Sequence, residues 1–246
     1  MKKITVAIIG NIHHDLMRLS LDRTLAATPD VETVLVCSDH NFYNTSNFVE
    51  IAADFSRDDY RLFCIKLLLA HVETEFVLLV QYDGMAVHGY QWTDDFYRYD
   101  YIGATWPTRY QLPEDQRVGN GGFSLRSRRL LEALQDERIP FDTNEDTVIC
   151  QRYADYLRKQ HKISFAPIGI ADRFSQEWNI DHGNTFGFHG LLNLPVYLDD
   201  TTCAEYVNAI DLSGWFGDQL EVFIQRCHKR NYMQSLLALQ HKLERP

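Results

Sequence analysis

Apolar residues in this chain cluster in short, nearly unbroken blocks. Ile4 to Ile9 and Val31 to Cys37 each predict a β-strand, and Val77-Leu78-Leu79-Val80 predicts a central strand buried on both faces. Between the first two, Leu16, Leu19, Leu21 and Leu25 recur at helical spacing up to Pro29, so strand, helix and strand form a parallel βαβ unit. Asn41 to Asn47 reads as a polar, aromatic-bearing loop. A helix from about Asp59 to Val72, with Leu62, Ile65, Leu68 and Leu69 on its apolar face, leads into the third strand. The first hundred residues thus predict the nucleotide-binding half of an open α/β sheet. Beyond Gly84 the elements become short and rich in glycine and aromatics, with one helix from Ser127 and another through Asp146 to Lys159. From Trp215 onward Phe216, Leu220, Phe223, Cys227, Leu236, Leu237 and Leu243 recur on the turns of an amphipathic helical stretch.

The third strand ends at Gln81-Tyr82-Asp83-Gly84, which puts Asp83 at the carboxyl end of a central strand, where α/β proteins bind ligands. A strand-ending aspartate can equally cap a helix or close a turn. The turn after the first strand offers Gly10 but no GxGxxG, so the dinucleotide fingerprint is missing, and there is no Walker A sequence either. No apolar run approaches the roughly 20 residues of a membrane span. Met1-Lys2-Lys3-Ile4 leads into a strand rather than a signal-peptide core, and the expected location is the cytoplasm. The five cysteines are scattered through apolar segments without CxxC spacing, as reduced core residues are.

A formal net charge of −10 argues against binding nucleic acid, which needs a basic surface. An acidic chain that holds a diphosphate needs a divalent cation or a local basic cluster to do so. The stretch from Trp215 differs in sign, with Arg226, Lys229, Arg230, Lys242 and Arg245 against Asp218, Glu221 and Glu244. It reads as a helical hairpin that covers the sheet or forms a homodimer contact; the alternative is a basic patch at the membrane surface that meets a lipid-linked acceptor.

Taken in order, Gln81 to Gly84 (QYDG), Tyr99 to Pro107 (YDYIGATWP), Val118 to Ser127 (VGNGGFSLRS), Glu145-Asp146, Asp172 to Glu177 (DRFSQE) and Phe186 to Gly190 (FGFHG) resemble a bacterial family of GT-A-type glycosyltransferases found near surface-polysaccharide functions. The resemblance spans roughly residues 4 to 190. It implies a Rossmann-related, GT-A-like open mixed sheet flanked by helices over residues 1–200, with a C-terminal helical extension, 201–246, packed on the same domain. It also implies a nucleotide-sugar donor and a glycan or lipid-linked glycan acceptor. The Asp-x-Asp that grips a cation in such enzymes reads Gln81-Tyr82-Asp83 here, so Asp83 carries over as a metal ligand and Gln81 replaces a carboxylate by an amide. His189 matches the histidine that completes many such sites, and a carboxylate with an imidazole favours Mn2+ over Mg2+. Asp146, with Glu145 as alternative, matches the base that deprotonates the acceptor in inverting enzymes, although carboxylates in a first helical turn also suit the helix dipole. Asn120, Gly121 and Gly122 would form the sugar and acceptor floor, Trp106 would stack on a sugar or fill the core, and Asp39 would lie by the nucleotide's base or ribose.

Two other readings remain open at this point. His13-His14-Asp15 beside Asp39-His40 suggests a metal-dependent, phosphoesterase-like hydrolase, against the lack of a GNH[DE] segment. The altered Asp-x-Asp suggests a non-catalytic nucleotide-sugar-binding protein.

Overall fold

The computed structural model describes residues 3–178, 184–212 and 217–244. Trp215, Phe216 and Arg245, expected in the C-terminal helical stretch, lie outside the described residues, as do Met1 and Lys2. The chain forms two compact units, Met1–His189 and Gly190–Pro246.

The first unit opens with β1 (Ile4–Ile9), α1 (His14–Ala27) and β2 (Val31–Ser38), the expected βαβ. β3 (Asn47–Glu50) follows, a strand the loop-like composition of this stretch did not announce. α2 (Arg57–Leu62) is started by a capping box in which Ser56 and Asp59 bond each other's backbone N–H. The helix expected up to Val72 changes character here, through a π turn at Phe63–Leu67 and a 3-10 turn at Leu68–His71. Phe63, Cys64 and Ile65 are all buried, more consecutive positions than one face of a regular helix presents, and the wider turn falls at those residues.

β4 (Phe76–Val80) is followed by β5 (Gly84–Ala86), β6 (Tyr101–Ile102) and β7 (Phe123–Ser127). The main sheet has the order β3-β2-β1-β4-β7-β6. Its first four strands are parallel, β7 is antiparallel to β4, and β6 is antiparallel to β7, giving the open mixed sheet predicted. Both faces are covered. Val6, Ile8, Leu78 and Val80 enter one core while Ala7, Ile9, Val77 and Leu79 enter the other, which is why these strands read as unbroken apolar runs.

Helices α3 (Arg128–Ala133), α4 (Glu145–Thr147), α5 (Ala154–His161) and α6 (Ile168–Phe174) complete this unit. The single helix expected from Asp146 to Lys159 is α4, a π turn at Val148–Arg152 and α5; Val148, Ile149 and Cys150 are again three consecutive buried residues. A second, small sheet has the order β5-β9-β8, from β8 (Ser175–Gln176) and β9 (Gly187–His189).

The second unit holds α7 (Leu194–Tyr197), α8 (Asp200–Ala209), α9 (Gly217–Arg230) and α10 (Met233–Leu243). Asp200 at the start of α8 accepts the backbone N–H groups of Gln234 and Ser235 at 2.9 Å each, tying the first turn of α10 to α8. Phe223, Cys227 and Leu239 are buried in this unit. All five cysteines are buried and free. Among the described residues no helix is long and apolar enough to cross a membrane.

Asp100, next to β6, is a buried polar hub of the first unit. It accepts the Ser127 hydroxyl at 2.6 Å and the Ser164 N–H and hydroxyl at 2.7 and 2.8 Å, and it pairs with Arg129. Burial alone would raise its pKa, but Arg129, Ser127 and Ser164 together hold it below the usual carboxylate range. Asp100→Ala is expected to cost about 3 kcal/mol in denaturant unfolding, because it leaves these donors unpaired. A carboxyl with a depressed folded-state pKa contributes stability that is present above the ordinary value of about 3.9 and lost as pH falls through the folded value. The variant should therefore lose less stability than wild type on acidification below about pH 4.

Candidate functional site

The site is assembled by strand register. In the main sheet the chain runs outward from β1 through β2 to β3 and then returns to place β4 on the other side of β1, so the switch point lies between the ends of β1 and β4. His13, after β1, packs edge-on against Tyr82, after β4, with ring centroids 5.0 Å apart. Val80 pairs with Phe123, and just beyond it the Gln81 N–H donates to the Gly122 carbonyl at 2.9 Å. The Gly121-Gly122 turn therefore lies against the end of β4.

The small sheet adds the distant residues. Gly84 pairs with His189 across β5 and β9, which sets the histidine beside Asp83. β8 runs parallel to β9 with Gln176 opposite Phe188, which carries Glu177 alongside His189. The imidazole lies between two carboxylates: Nε2 is 3.4 Å from Asp83 Oδ1, and Nδ1 is 3.4 Å from Glu177 Oε1. Gln81 Oε1 also faces Nε2, at 3.2 Å, and the Gln81 Nε2 donates to the Tyr60 hydroxyl at 2.9 Å. Burial opposes a charge on His189, but Asp83 and Glu177 outweigh it and hold its pKa well above the ordinary 6.5.

These donors suit a divalent cation. Adjacent ligand atoms of an octahedral ion bound at about 2.1 Å stand about 3 Å apart, and Asp83 Oδ1 and Gln81 Oε1 stand 3.4 and 3.2 Å from His189 Nε2, close to that spacing. Glu177 on the far nitrogen is the carboxylate that fixes ring orientation in many histidine metal sites. Gln81, which replaces the first carboxylate, thus faces the same nitrogen as Asp83.

On the other side of the glycine turn lies Asp146, in α4. Its Oδ2 accepts the Gly121 N–H at 3.1 Å and its Oδ1 accepts the Thr147 N–H at 2.6 Å. Burial, then the charges of Glu145 and Glu177, push its pKa up to about 6 despite those two hydrogen bonds. Glu145 is committed elsewhere: it is 6% exposed, and its Oε1 meets Nη2 of the fully enclosed Arg126 at 3.1 Å. A Cβ at Gly121 would collide with Glu145 Oε1, and one at Gly122 would collide with the His189 ring, so both positions require the bare backbone. Asn120, at φ 51°, is 5% exposed, and its Oδ1 is buried without a hydrogen bond. Trp106 is 7% exposed and lies against Gly119, within the core.

Of the residues predicted from sequence, Gln81, Asp83 and His189 come together, and Gly121 and Gly122 link them to Asp146. Glu177 and Arg126 were missed as site residues, although both lie in segments that the sequence singles out. Asp39, at the end of β2, belongs to a different group: its Oδ1 is 2.9 Å from His14 Nε2 and 3.2 Å from His40 Nδ1. Of the suggested cluster, His13, His14 and Asp15 beside Asp39 and His40, the structure brings together His14, Asp39 and His40 and leaves out His13 and Asp15. His13 turns toward Tyr82 in a left-handed conformation, φ 58°, and Asp15 is exposed.

Two substitutions distinguish the ion-paired carboxylate from the one whose pKa is raised. Glu145→Gln removes the countercharge of a buried guanidinium and should cost about 3 kcal/mol in denaturant unfolding. Asp146 has a raised folded-state pKa, so it costs the protein stability as pH rises from the ordinary carboxylate value through about 6. Asp146→Asn cannot ionise, and at pH 7.5 it should be at least as stable as wild type.

A comparison with curated proteins finds no match. Among solved structures the chain is similar to a mannosyltransferase from Pyrobaculum calidifontis in complex with GDP-Man and Mn2+, at 12% identity and a TM-score of 0.46, over all of this chain and 76% of that one. It is also similar to glucosyl-3-phosphoglycerate synthase from Mycobacterium tuberculosis in complex with Mn2+ and UDP-glucose, at 11% identity and a TM-score of 0.43, over 67% of this chain and 68% of that one. Residues 48–189, more than half of the chain, match the model of a family described as a protein of unknown function, DUF5672, and the chain belongs to that family.

Proposed function

We propose that this chain is a nucleotide-sugar-dependent glycosyltransferase that passes one sugar, with inversion, to a hydroxyl of a glycan or lipid-linked glycan. The observation that carries the reading is the pairing, across the Gly121-Gly122 backbone, of a set of cation ligands with a carboxyl whose pKa is raised to about 6. A group with that pKa is ionised at neutral pH yet basic enough to take a proton as bonds change.

In this reading Asp146 accepts the proton of the acceptor hydroxyl while the hydroxyl oxygen attacks the anomeric carbon. The bond from that carbon to the diphosphate breaks and the nucleoside diphosphate departs with the bonding electrons. Asp83, His189 and Gln81 would hold a divalent cation, whose chemistry is to neutralise charge on the leaving diphosphate. An imidazole among the ligands favours Mn2+ over Mg2+. The glycine backbone lets a sugar approach closely, and the buried Asn120 Oδ1 offers an acceptor for a sugar hydroxyl. Trp106 closes the floor from beneath, and Asp39 takes no part, because its carboxylate faces His14 and His40. The net charge of −10 fits the use of a cation to hold an anionic donor.

Thermal shift against UDP-, GDP-, CMP- and dTDP-sugars tests the donor, since a ligand at about 100 times its Kd stabilises by about 2.7 kcal/mol. A selective shift with Mn2+, lost on adding chelator and lost in Asp83→Asn, is expected; no shift for any donor, with or without metal, would contradict the reading. Once a donor is known, kcat/KM should rise with pH to a plateau above about 6, where Asp146 is ionised. Asp146→Asn should lower turnover by about 10²–10⁴-fold while keeping the donor-induced shift, and full turnover would remove Asp146 as the base.

A further inference from the structure

The carboxyl end of β2 gathers a second set of metal-ligating side chains, made of residues the proposed transfer reaction does not use. β1 and β2 pair in parallel, so the start of α1 and the end of β2 meet on the same side of the sheet. His14 comes from the first of these, Asp39 and His40 from the second. Their ligand atoms lie within 4.8 Å of one another. His14 Nε2 is 2.9 Å and His40 Nδ1 is 3.2 Å from the same Asp39 oxygen. Around a tetrahedral ion bound at about 2.0–2.1 Å, neighbouring ligand atoms stand about 3.4 Å apart, so two of the three edges are close to that spacing already.

The surroundings also match a metal site. The Ser38 hydroxyl donates to Asp39 Oδ1 at 3.2 Å, which orients the carboxylate as outer-shell groups do around metals. Phe42 packs against His14 and His40, with centroids 5.6 and 6.4 Å away, and forms an apolar wall behind them. The two imidazole centroids are only 4.0 Å apart. His14 Nε2 also lies 3.0 Å from the Ser38 hydroxyl, so the same nitrogen faces both Ser38 and Asp39; as a ligand set, both imidazoles would give a lone pair to one ion. The His40 side chain is 58% exposed, so the fourth direction is open to solvent.

We propose that His14, Asp39 and His40 bind one divalent first-row transition cation of the zinc class, with an open coordination position toward solvent. Two imidazoles and one carboxylate select Zn2+ or Co2+ over Mg2+ and Ca2+. The site is independent of the donor site, and either can fail without the other.

The test uses the full chain, stripped with chelator and titrated with Zn2+ against a chromophoric competitor, and in parallel with Co2+ read by visible absorption. Zn2+ and Co2+ also suit the Asp83, His189 and Gln81 set, so the titration is read in an Asp83→Asn background, where one equivalent of Zn2+ should still bind tightly and Co2+ should give the strong visible bands of low-coordinate cobalt. In that background His40→Ala, at an exposed position, should weaken the equivalent by roughly tenfold or more, and H14A/H40A should abolish both signals. Binding undiminished in H14A/H40A, loss of the equivalent in Asp83→Asn instead, or no Zn2+ uptake at all would each overturn the proposal.

Discussion

Arg126 is wholly enclosed, and its Nη2 meets Glu145 Oε1 at 3.1 Å while its Nε donates to Ser124 Oγ at 3.1 Å. A guanidinium so placed cannot shed its proton, so the fold must supply a countercharge, and Glu145 is fixed at the start of α4 to provide it. The consequences spread outward. Glu145 closes the space above Gly121, the Gly121 N–H then points at Asp146, and Gly122 runs against the His189 ring. Tyr60, whose hydroxyl receives the Gln81 side-chain N–H, borders the same enclosed charge. One buried ion pair thus borders the groups on both sides of the glycine turn: Asp146 on one, Gln81, Asp83 and His189 on the other.

The neighbourhood concentrates negative charge. Glu145 and Glu177 both act on Asp146 there, Asp83 and Glu177 face His189, and Glu145 faces Arg126. A fold selected for stability alone has no use for a carboxyl held at a pKa of about 6, and perturbed groups of this kind gather where ligands bind. The small β5-β9-β8 sheet exists in this setting as an assembly device: its two pairings bring Glu177 and His189 to Asp83. His189 lies in β9 itself, while Gln81 and Asp83 lie in the tight turn between β4 and β5 and Glu177 directly follows β8, so each side chain is anchored at a strand end.

The main sheet was legible because its strands are buried on both faces, which leaves apolar runs such as Ile4 to Ile9 with little ambiguity. β3 was not, since Asn47–Glu50 is half-exposed at the sheet edge and carries no such run. The π turns escaped notice because helical periodicity assumes a regular turn, and Cys64 and Cys150 look like ordinary positions of a continuous helix. Asp83, His189 and Asp146 were visible through their motifs. The role of Glu177 was not: it depends on the parallel register of β8 with β9, a two-residue strand too short for any pattern. Glu145 could not be told from Asp146 by sequence, because the distinction lies in the partner: Arg126 for one, backbone N–H groups for the other. Of the histidine cluster read in the sequence, His14, Asp39 and His40 do meet, while the left-handed turn at His13 sends that ring toward Tyr82 instead.

The central claim is that Asp83, His189 and Gln81 hold a cation on which the donor's diphosphate rests, beside Asp146. Crystals grown with Mn2+ and a nucleoside diphosphate, measured at the manganese absorption edge, test it most directly. The account predicts an anomalous peak among Asp83 Oδ1, His189 Nε2 and Gln81 Oε1 with phosphate oxygens in contact. A nucleotide bound elsewhere, or density that leaves His189 clamped between Asp83 and Glu177 with no ion at saturating Mn2+, would contradict it.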